Sequence, residues 1–189
     1  MLNKEAQQAL NDFAKYVIQQ SRSNLTKSKK TDSKDLYNSL GYSVDKTAKG
    51  FRLTFEMSDY GEFVDKGVKG KDPSKVSPNA KIKGQQAPNS PYRFGSGSKR
   101  GTFDKFARKM SKWAKRKNLR FRNKKGQFAK GGYDAMGYVV ASNIYNRGIK
   151  PSLFFTKPFN KAFERLPQEL LEAYAVGIEK QINVNLKEI

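Results

Sequence analysis

The chain has 189 residues, and 38 lysine and arginine residues against 17 acidic residues give it a net charge of +21. Such a surplus usually persists because an anionic partner neutralises it, so nucleic acid, an acidic membrane face and acidic protein surfaces are candidate partners. The sequence contains no histidine and no cysteine, which excludes Ser–His and Cys–His nucleophiles, imidazole acid–base chemistry and thiolate zinc sites. We therefore expect a binding or assembly protein, and not an enzyme of any histidine-, cysteine- or zinc-dependent kind.

The first third of the chain predicts a helix, a linker, a short helix and a β-hairpin. Apolar residues recur at helical spacing over residues 2–18, and the polar, basic residues 21–30 are typical of a solvated linker. A short helix is expected over residues 33–40, with Asp32 as its N-cap. Alternation of apolar and polar side chains then predicts a β-hairpin over residues 42–57.

The rest of the chain begins with an irregular segment, residues 67–101, which holds four prolines and six glycines. A loop of this length is usually functional, or disordered until it is bound. The elements expected after it are a basic helix, a short hairpin, another helix, an apolar strand and a terminal helix, at residues 102–117, 119–132, 134–147, 152–156 and 159–186. Pro167 should kink or restart the last helix, and the alternating residues 182–186 leave a terminal strand open as an alternative.

These elements predict an α+β fold, in which a small antiparallel sheet packs with the N-terminal and C-terminal helices. We expect a single domain over residues 1–189, because neither side of the irregular segment looks self-sufficient. The domain would carry an extended loop over residues 67–101 and a basic helix–hairpin insertion over residues 102–132.

The basic charge is concentrated in one stretch, Arg93–Lys130, which contains fifteen basic side chains and one acidic side chain, Asp104. Such a surface could neutralise the phosphates of nucleic acid without reading its sequence, or it could contact an acidic neighbouring subunit. The sequence leaves the two alternatives open. The candidate contact residues are Arg93, Lys99, Arg100, Arg108, Lys112, Lys115, Arg116, Lys117, Arg120, Arg122, Lys124 and Lys125.

Aromatic residues interleaved with this charge could stack on bases, namely Tyr92, Phe94, Phe121 and Phe128. The aromatic residues of the basic helix recur at helical spacing and are expected in the core instead. A helix this basic could also lie on an anionic membrane. Its apolar stripe is narrow and is needed for folding, however, so no membrane partner is expected.

Enzyme motifs are weak throughout. The glycine-rich segment 95–101 lacks the spacing of a phosphate-binding loop and is better explained as a flexible loop. Asp59, Glu62 and Asp65 could share one side of a helical turn and hold a divalent ion, although helix capping and surface solvation explain them more simply. The triplet 32–34 offers the acidic residue and lysine of some metal-dependent nucleases, but at a helix start and not on a strand. A nuclease is therefore the weakest alternative.

After the N-terminal helix, the chain carries a Leu-x-x-Ser motif at residues 36–39, the hairpin at 42–57 and a Tyr-x-x-Phe-Val-Asp-x-Gly motif at 60–67. The long loop at residues 68–100 and a Pro-Phe entry into the last helix at 154–159 follow. This order resembles that of the tail-completion, or head–tail joining (neck), proteins of tailed bacteriophages, in which the third motif reads Tyr-x-x-Phe-Val-(Asp/Glu)-x-Gly. The basic insertion and the helix at 134–147 go beyond the simplest family members, which leaves the position in the neck or tail open.

This resemblance implies a structural subunit, without catalysis or cofactor, that assembles as a homo-oligomeric ring in the virion. Its partners would be the portal or adaptor proteins and the tail-tube proteins, with packaged DNA, contacted through its backbone, as a further candidate. The loop after Gly67 would become ordered only against neighbouring subunits. The alternative function is a free, sequence-independent nucleic-acid-binding protein. The residues of the implied assembly motif are Tyr60, Phe63, Val64, Gly67, Pro158 and Phe159.

Overall fold

The computed structural model confirms the α+β fold. It describes residues 4–28, 30–48, 50–97, 102–123, 125–129 and 131–187, and the side chains of these residues as far as position 176. The helices in the described residues are α1 (Lys4–Lys27), α2 (Asp35–Ser39), α3 (Gly61–Lys66), α4 (Phe103–Arg116), α5 (Tyr133–Arg147), α6 (Thr156–Phe163) and α7 (Leu166–Lys187). The strands are β1 (Gly41–Thr47), β2 (Gly50–Glu56), β3 (Val68–Lys69) and β4 (Gly148–Ile149).

The chain divides into two compact units, the second of which is inserted into the first. The first unit comprises residues 1–65 and 152–189, and the second comprises residues 66–151. The first contains the predicted hairpin, in which β1 pairs with β2 antiparallel from Gly41 opposite Glu56 to Thr47 opposite Gly50. The second unit is longer than the predicted basic insertion, because it also includes the irregular segment, α5 and the β3–β4 pair.

The core of the first unit lies between α1, the hairpin and the start of the C-terminal helices. One cluster is formed by Ile18, Leu25, Leu36, Leu40 and Phe154, which are all buried. A second cluster contains Phe13 at its centre, with ring-centroid distances of 6.1 Å to Phe55 and 5.7 Å to Phe159. Each such side chain stabilises the fold by about 1.5–3 kcal/mol through removal of its apolar surface from water.

The prediction of a linker at residues 21–30 is wrong for residues 21–27, because α1 continues to Lys27. Ser21 and Leu25 are fully buried and extend the apolar stripe of the helix by spacings of three and four residues. The predicted N-cap of α2 is also wrong. That position belongs to Lys34, which has a φ of 59°, directly before the first helical residue Asp35.

The apolar strand predicted at residues 152–156 is wrong. These residues form a turn that leads into α6 at Thr156, and Phe154 is fully buried there. Pro158 lies in the first turn of α6. The N–H that proline lacks would have no acceptor there, because no residue of the helix lies four positions earlier, so the proline does not weaken the helix. The restart predicted at Pro167 is confirmed, since α6 ends at Phe163 and α7 begins at Leu166.

The second unit is built around the packing of α4 against α5. The prediction of α4 is confirmed, and the Thr102 hydroxyl accepts a hydrogen bond of 3.3 Å from the Lys105 backbone N–H as its N-cap. Small residues bring the helices together, because a Cβ at Gly137 would lie only 2.6 Å from the Cα of Ser111. Val139 is 37% exposed, since the buried positions of α5 are Gly137, Ala141 and Asn146.

The irregular segment packs on α5 through specific hydrogen bonds, contrary to the expectation of a loop ordered only by neighbouring subunits. The Ser77 N–H donates to the Asn143 side-chain oxygen at 2.9 Å, and the Gln86 N–H donates to the Arg147 carbonyl at 2.7 Å. The buried Ser90 hydroxyl donates to the Gly67 carbonyl at 2.8 Å. These bonds satisfy backbone groups that would otherwise require water or a partner.

Candidate functional site

The segments that carry the family resemblance meet around one buried carboxylate, that of Asp65. Its Oδ1 accepts hydrogen bonds from the backbone N–H of Phe155 at 2.8 Å and of Thr156 at 3.2 Å, and its Oδ2 accepts the hydroxyl of Thr156. The carboxylate therefore caps the start of α6, where helix N–H groups lack intrahelical acceptors. The Tyr-x-x-Phe-Val-Asp-x-Gly segment is thereby joined to the Pro-Phe segment.

The Leu-x-x-Ser segment belongs to the same core. Leu36 is buried in the cluster that contains Phe154, and Val64 packs against that cluster. The hydroxyl of Ser39 accepts a hydrogen bond of 2.9 Å from the Ser58 N–H, which ties α2 to the chain leaving the hairpin. Gly67 follows α3 with a φ of 72°, a conformation that favours glycine, and thereby ends the helix.

Asp59, Glu62 and Asp65 do not form a metal site. In the part of the chain that the structure describes, no three acidic side chains lie close enough together to hold an ion. Asp65 is 3% exposed and occupied by its hydrogen bonds to the start of α6, whereas Asp59 and Glu62 are exposed. Burial lowers the pKa of the nearby Lys30, and the negative charge of Asp65 acts in the opposite direction.

Partial burial, followed by the negative charge of Asp35, raises the pKa of Tyr60 above its ordinary value. We therefore expect the Tyr60 phenol to ionise later than an ordinary tyrosine, whose pKa is about 10. In the unfolded chain this phenol loses its proton at a lower pH than in the folded chain. The free energy of unfolding of the wild type should therefore fall relative to that of Tyr60→Phe as the pH rises above about 10. Difference spectra at 295 nm between the two proteins measure the titration, and Tyr16→Phe is the control at a tyrosine of similar exposure, 39% against 42% for Tyr60. A Tyr60 titration at or below pH 10 would contradict the prediction.

The outer surface of α4 is cationic along its whole length. Asp104 is the one acidic residue in the sequence of this helix. Its exposed basic side chains are Lys105, Arg108, Lys109, Lys112, Lys115 and Arg116. They recur at spacings of three and four residues, so that several like charges are neighbours on one helical surface. Each such pair destabilises an isolated helix by about 0.2–0.5 kcal/mol.

The chain leaves α4 through Asn118, which has a φ of 50°, and enters a tight turn with one antiparallel bridge between Arg122 and Phe128. The two predicted strands are therefore reduced to this single bridge. The Asn123 side-chain oxygen accepts hydrogen bonds of 3.0 Å from the backbone N–H groups of Lys125 and Gln127. This side chain organises the turn that exposes Lys125 at its tip.

Phe128 is 47% exposed, and its ring supports arginines. The guanidinium carbon of Arg120 lies 4.1 Å from the ring centroid, and that of Arg122 lies 4.5 Å from it. Arg122 also donates a hydrogen bond of 2.7 Å to the Gly126 carbonyl. These contacts hold two cations that would otherwise sample many rotamers. We shall call the exposed cations of α4 together with Arg120, Arg122 and Lys125 the basic surface.

Arg93 lines a cleft of about 430 Å³ in the second unit, to which Phe103, the first residue of α4, also contributes. Its guanidinium donates to the Lys71 carbonyl at 3.2 Å, and the Lys71 ammonium lies 5.8 Å from the Tyr145 ring centroid. The structure therefore gives Arg93 a role in holding the loop. Lys117 is exposed after the last residue of α4. The remaining predicted contact residues, Lys99, Arg100 and Lys124, lie outside the described residues.

Sequence reasoning omitted Lys105 and Lys109 from the candidate contacts, although they share the exposed surface of α4 with Arg108 and Lys112. Their spacing of three and four residues from the other cations of the helix is the sequence signal that identifies them as part of the same surface. The sequence suggests that Phe128 could stack on bases, whereas in the structure its ring is stacked with Arg120 and Arg122. No local sequence signal indicates that pairing, because the residues meet only when the turn closes.

Comparisons with protein-family models, with curated proteins and with solved structures find no match to this chain. Within the described residues, the helices lack the combination of length and apolar composition that crossing a bilayer requires.

Proposed function

We propose that this chain is a non-enzymatic structural subunit of a tailed bacteriophage, forming part of the ring at the head–tail junction around the DNA channel. The observation that carries the proposal is the convergence of the family-like segments on Asp65. Three short motifs, each weak alone, lie in one contact network: the Asp65 carboxylate caps the Pro-Phe helix, and Leu36 packs with Phe154.

A second observation supports assembly with other subunits. Large apolar side chains are exposed at the C-terminal end of the first unit, where Phe163 is 51% exposed and Leu171 is 67% exposed. Tyr174 and Val176 of α7 are 41% and 42% exposed. Apolar and aromatic side chains of this kind are typical of the centres of protein interfaces, so these residues suit contacts with neighbouring subunits or with portal and tail-tube proteins.

The proposal is tested in the genome that encodes the chain. A stop codon in its reading frame should leave filled heads and separate tails, which electron microscopy distinguishes from whole particles. Supplying the wild-type chain in trans should restore joining, and quantitative mass spectrometry should find the chain in stoichiometric amounts in purified particles. Leu171→Ser should restore joining poorly, whereas the exposed control Lys161→Ser should restore it fully. Complete, infectious particles formed without the chain would refute the proposal.

A further inference from the structure

We infer that the basic surface is a binding site for the phosphate backbone of double-stranded DNA, and not a contact for an acidic protein. The surface is formed by the exposed cations of α4 and by the arginine-bearing turn that directly follows it. This inference does not depend on a ring at the head–tail junction, because it concerns which molecule one surface binds and can be measured on the isolated chain.

The composition of α4 separates the two partner classes. Protein interfaces are depleted of lysine in their centres and enriched in aromatic residues and methionine. The exposed surface of α4 has the opposite composition, since its aromatic residues and Met110 are only partly exposed and its exposed positions are four lysines, two arginines and one acidic residue. Contacts to DNA phosphates, in contrast, come largely from lysine and arginine. The surface therefore has the character of a nucleic-acid interface.

The electrostatics of α4 lead to the same partner. Lys105 and Lys109, and likewise Arg108 and Lys112, are separated by four residues and repel each other on the same side of the helix. An anion with regularly spaced charges relieves this repulsion along the whole helix at once. The fourteen residues of α4 span about 21 Å, a length over which one DNA strand presents about six phosphates.

The turn that follows α4 in the chain contributes prepositioned arginines. Arg120 and Arg122 are held over Phe128 at 4.1 and 4.5 Å, so binding immobilises fewer free rotamers than it would on an unsupported side chain. An arginine stacked in this way still presents N–H groups at the edge of its guanidinium, and these bind phosphate oxygens bidentately. The turn therefore contributes orientation as well as charge.

Duplex DNA fits this surface better than duplex RNA. The major groove of B-form DNA is wide enough for an exposed helix to approach the backbone on both sides, whereas the major groove of A-form RNA is deep and narrow. The contacts are ionic and involve no amide side chain on the outer surface of α4. We therefore expect affinity without sequence preference and with a strong dependence on salt.

The test uses the full chain and a fluorescent DNA duplex of mixed sequence, with binding measured by anisotropy over a series of salt concentrations. In the triple variant Lys105→Gln/Lys109→Gln/Lys112→Gln, the slope of log affinity against log salt should become shallower by about 3, and low-salt affinity should fall at least about tenfold. Glutamine keeps the helix propensity of lysine, and circular dichroism checks that the variant is folded. The matched control Lys15→Gln/Lys157→Gln/Lys161→Gln removes the same charge from exposed positions of the first unit and should change the slope by less than about 1.

Three results would overturn the inference. One is an equal change of slope in the two triple variants. Another is displacement of DNA by polyglutamate at an equal concentration of charge, which would assign the surface to an acidic protein. The third is tighter binding of a duplex RNA of the same sequence. None of these results bears on head–tail joining, which the stop-codon experiment measures separately.

Discussion

Replacement of Asp65 by alanine should lower the free energy of unfolding by about 3 kcal/mol, because buried donors lose their acceptor. The Phe155 and Thr156 N–H groups at the start of α6 have no carbonyl earlier in the helix to bind, and the Thr156 hydroxyl loses its partner as well. Asp65→Asn keeps one oxygen in place and should cost about 1 kcal/mol. Denaturation by urea, followed by circular dichroism, measures both changes.

The control for this prediction is Asp12→Ala, which removes an exposed carboxylate from α1 and should change stability by less than about 0.5 kcal/mol. The same titrations discriminate between a helix cap and a metal ligand at position 65. A cap predicts that Mg²⁺ and a chelator leave the unfolding midpoint of the wild type unchanged. A loss of less than about 1 kcal/mol in Asp65→Ala would show that the carboxylate does not hold α6 in place.

Replacement of Gly137 by leucine should separate α4 from α5 and destabilise the second unit by about 3 kcal/mol. A Cβ at this position would lie 2.6 Å from the Cα of Ser111, and backbone cannot move aside as a flexible side chain can. The single tryptophan, Trp113, lies on α4 and reports the change directly. Its emission should shift to longer wavelength, and the α4 amides should exchange hydrogen faster.

The design of this second experiment includes an internal reference. The amides of the β1–β2 hairpin belong to the first unit and should keep their protection in Gly137→Leu. Ala135→Leu adds a comparable side chain at an exposed position of α5 and should leave both units as they are. An unchanged Trp113 spectrum in Gly137→Leu would mean that α4 does not approach α5 through this glycine.

The elements that the sequence predicts well are those whose signals are local. The hairpin follows from alternation at residues 42–57, and both α4 and α5 follow from helical periodicity. Other features depend on distant residues. Asn24 lies in the part of α1 that reads as a polar linker, and its side chain donates to the Phe154 carbonyl, 130 residues away.

The same distinction applies to the candidate sites. Charge counting located the basic surface, because lysine and arginine are mostly exposed wherever they occur. Charge counting does not show that Arg93 donates a hydrogen bond to the Lys71 carbonyl, or that Asp65 caps α6. The prediction of a strand at residues 152–156 is wrong for the same reason. The backbone N–H groups of Ser152 and Leu153 bind the Asp65 carbonyl, which lies far earlier in the chain. Long-range polar contacts carry no periodic signal in the sequence.

The junction at Asp65 has a consequence for how this chain tolerates changes in length. The Ser152 N–H donates to the Val64 and Asp65 carbonyls, and the Leu153 N–H donates to the Asp65 carbonyl at 3.0 Å. The residues that flank the inserted segment, Asp65 and Ser152, are therefore held together by hydrogen bonds within the first unit. Because the two ends are held together by these bonds, lengthening or shortening the intervening chain alters the closure entropy only logarithmically. The stability of the first unit should therefore depend only weakly on the length of the unit that is inserted into it.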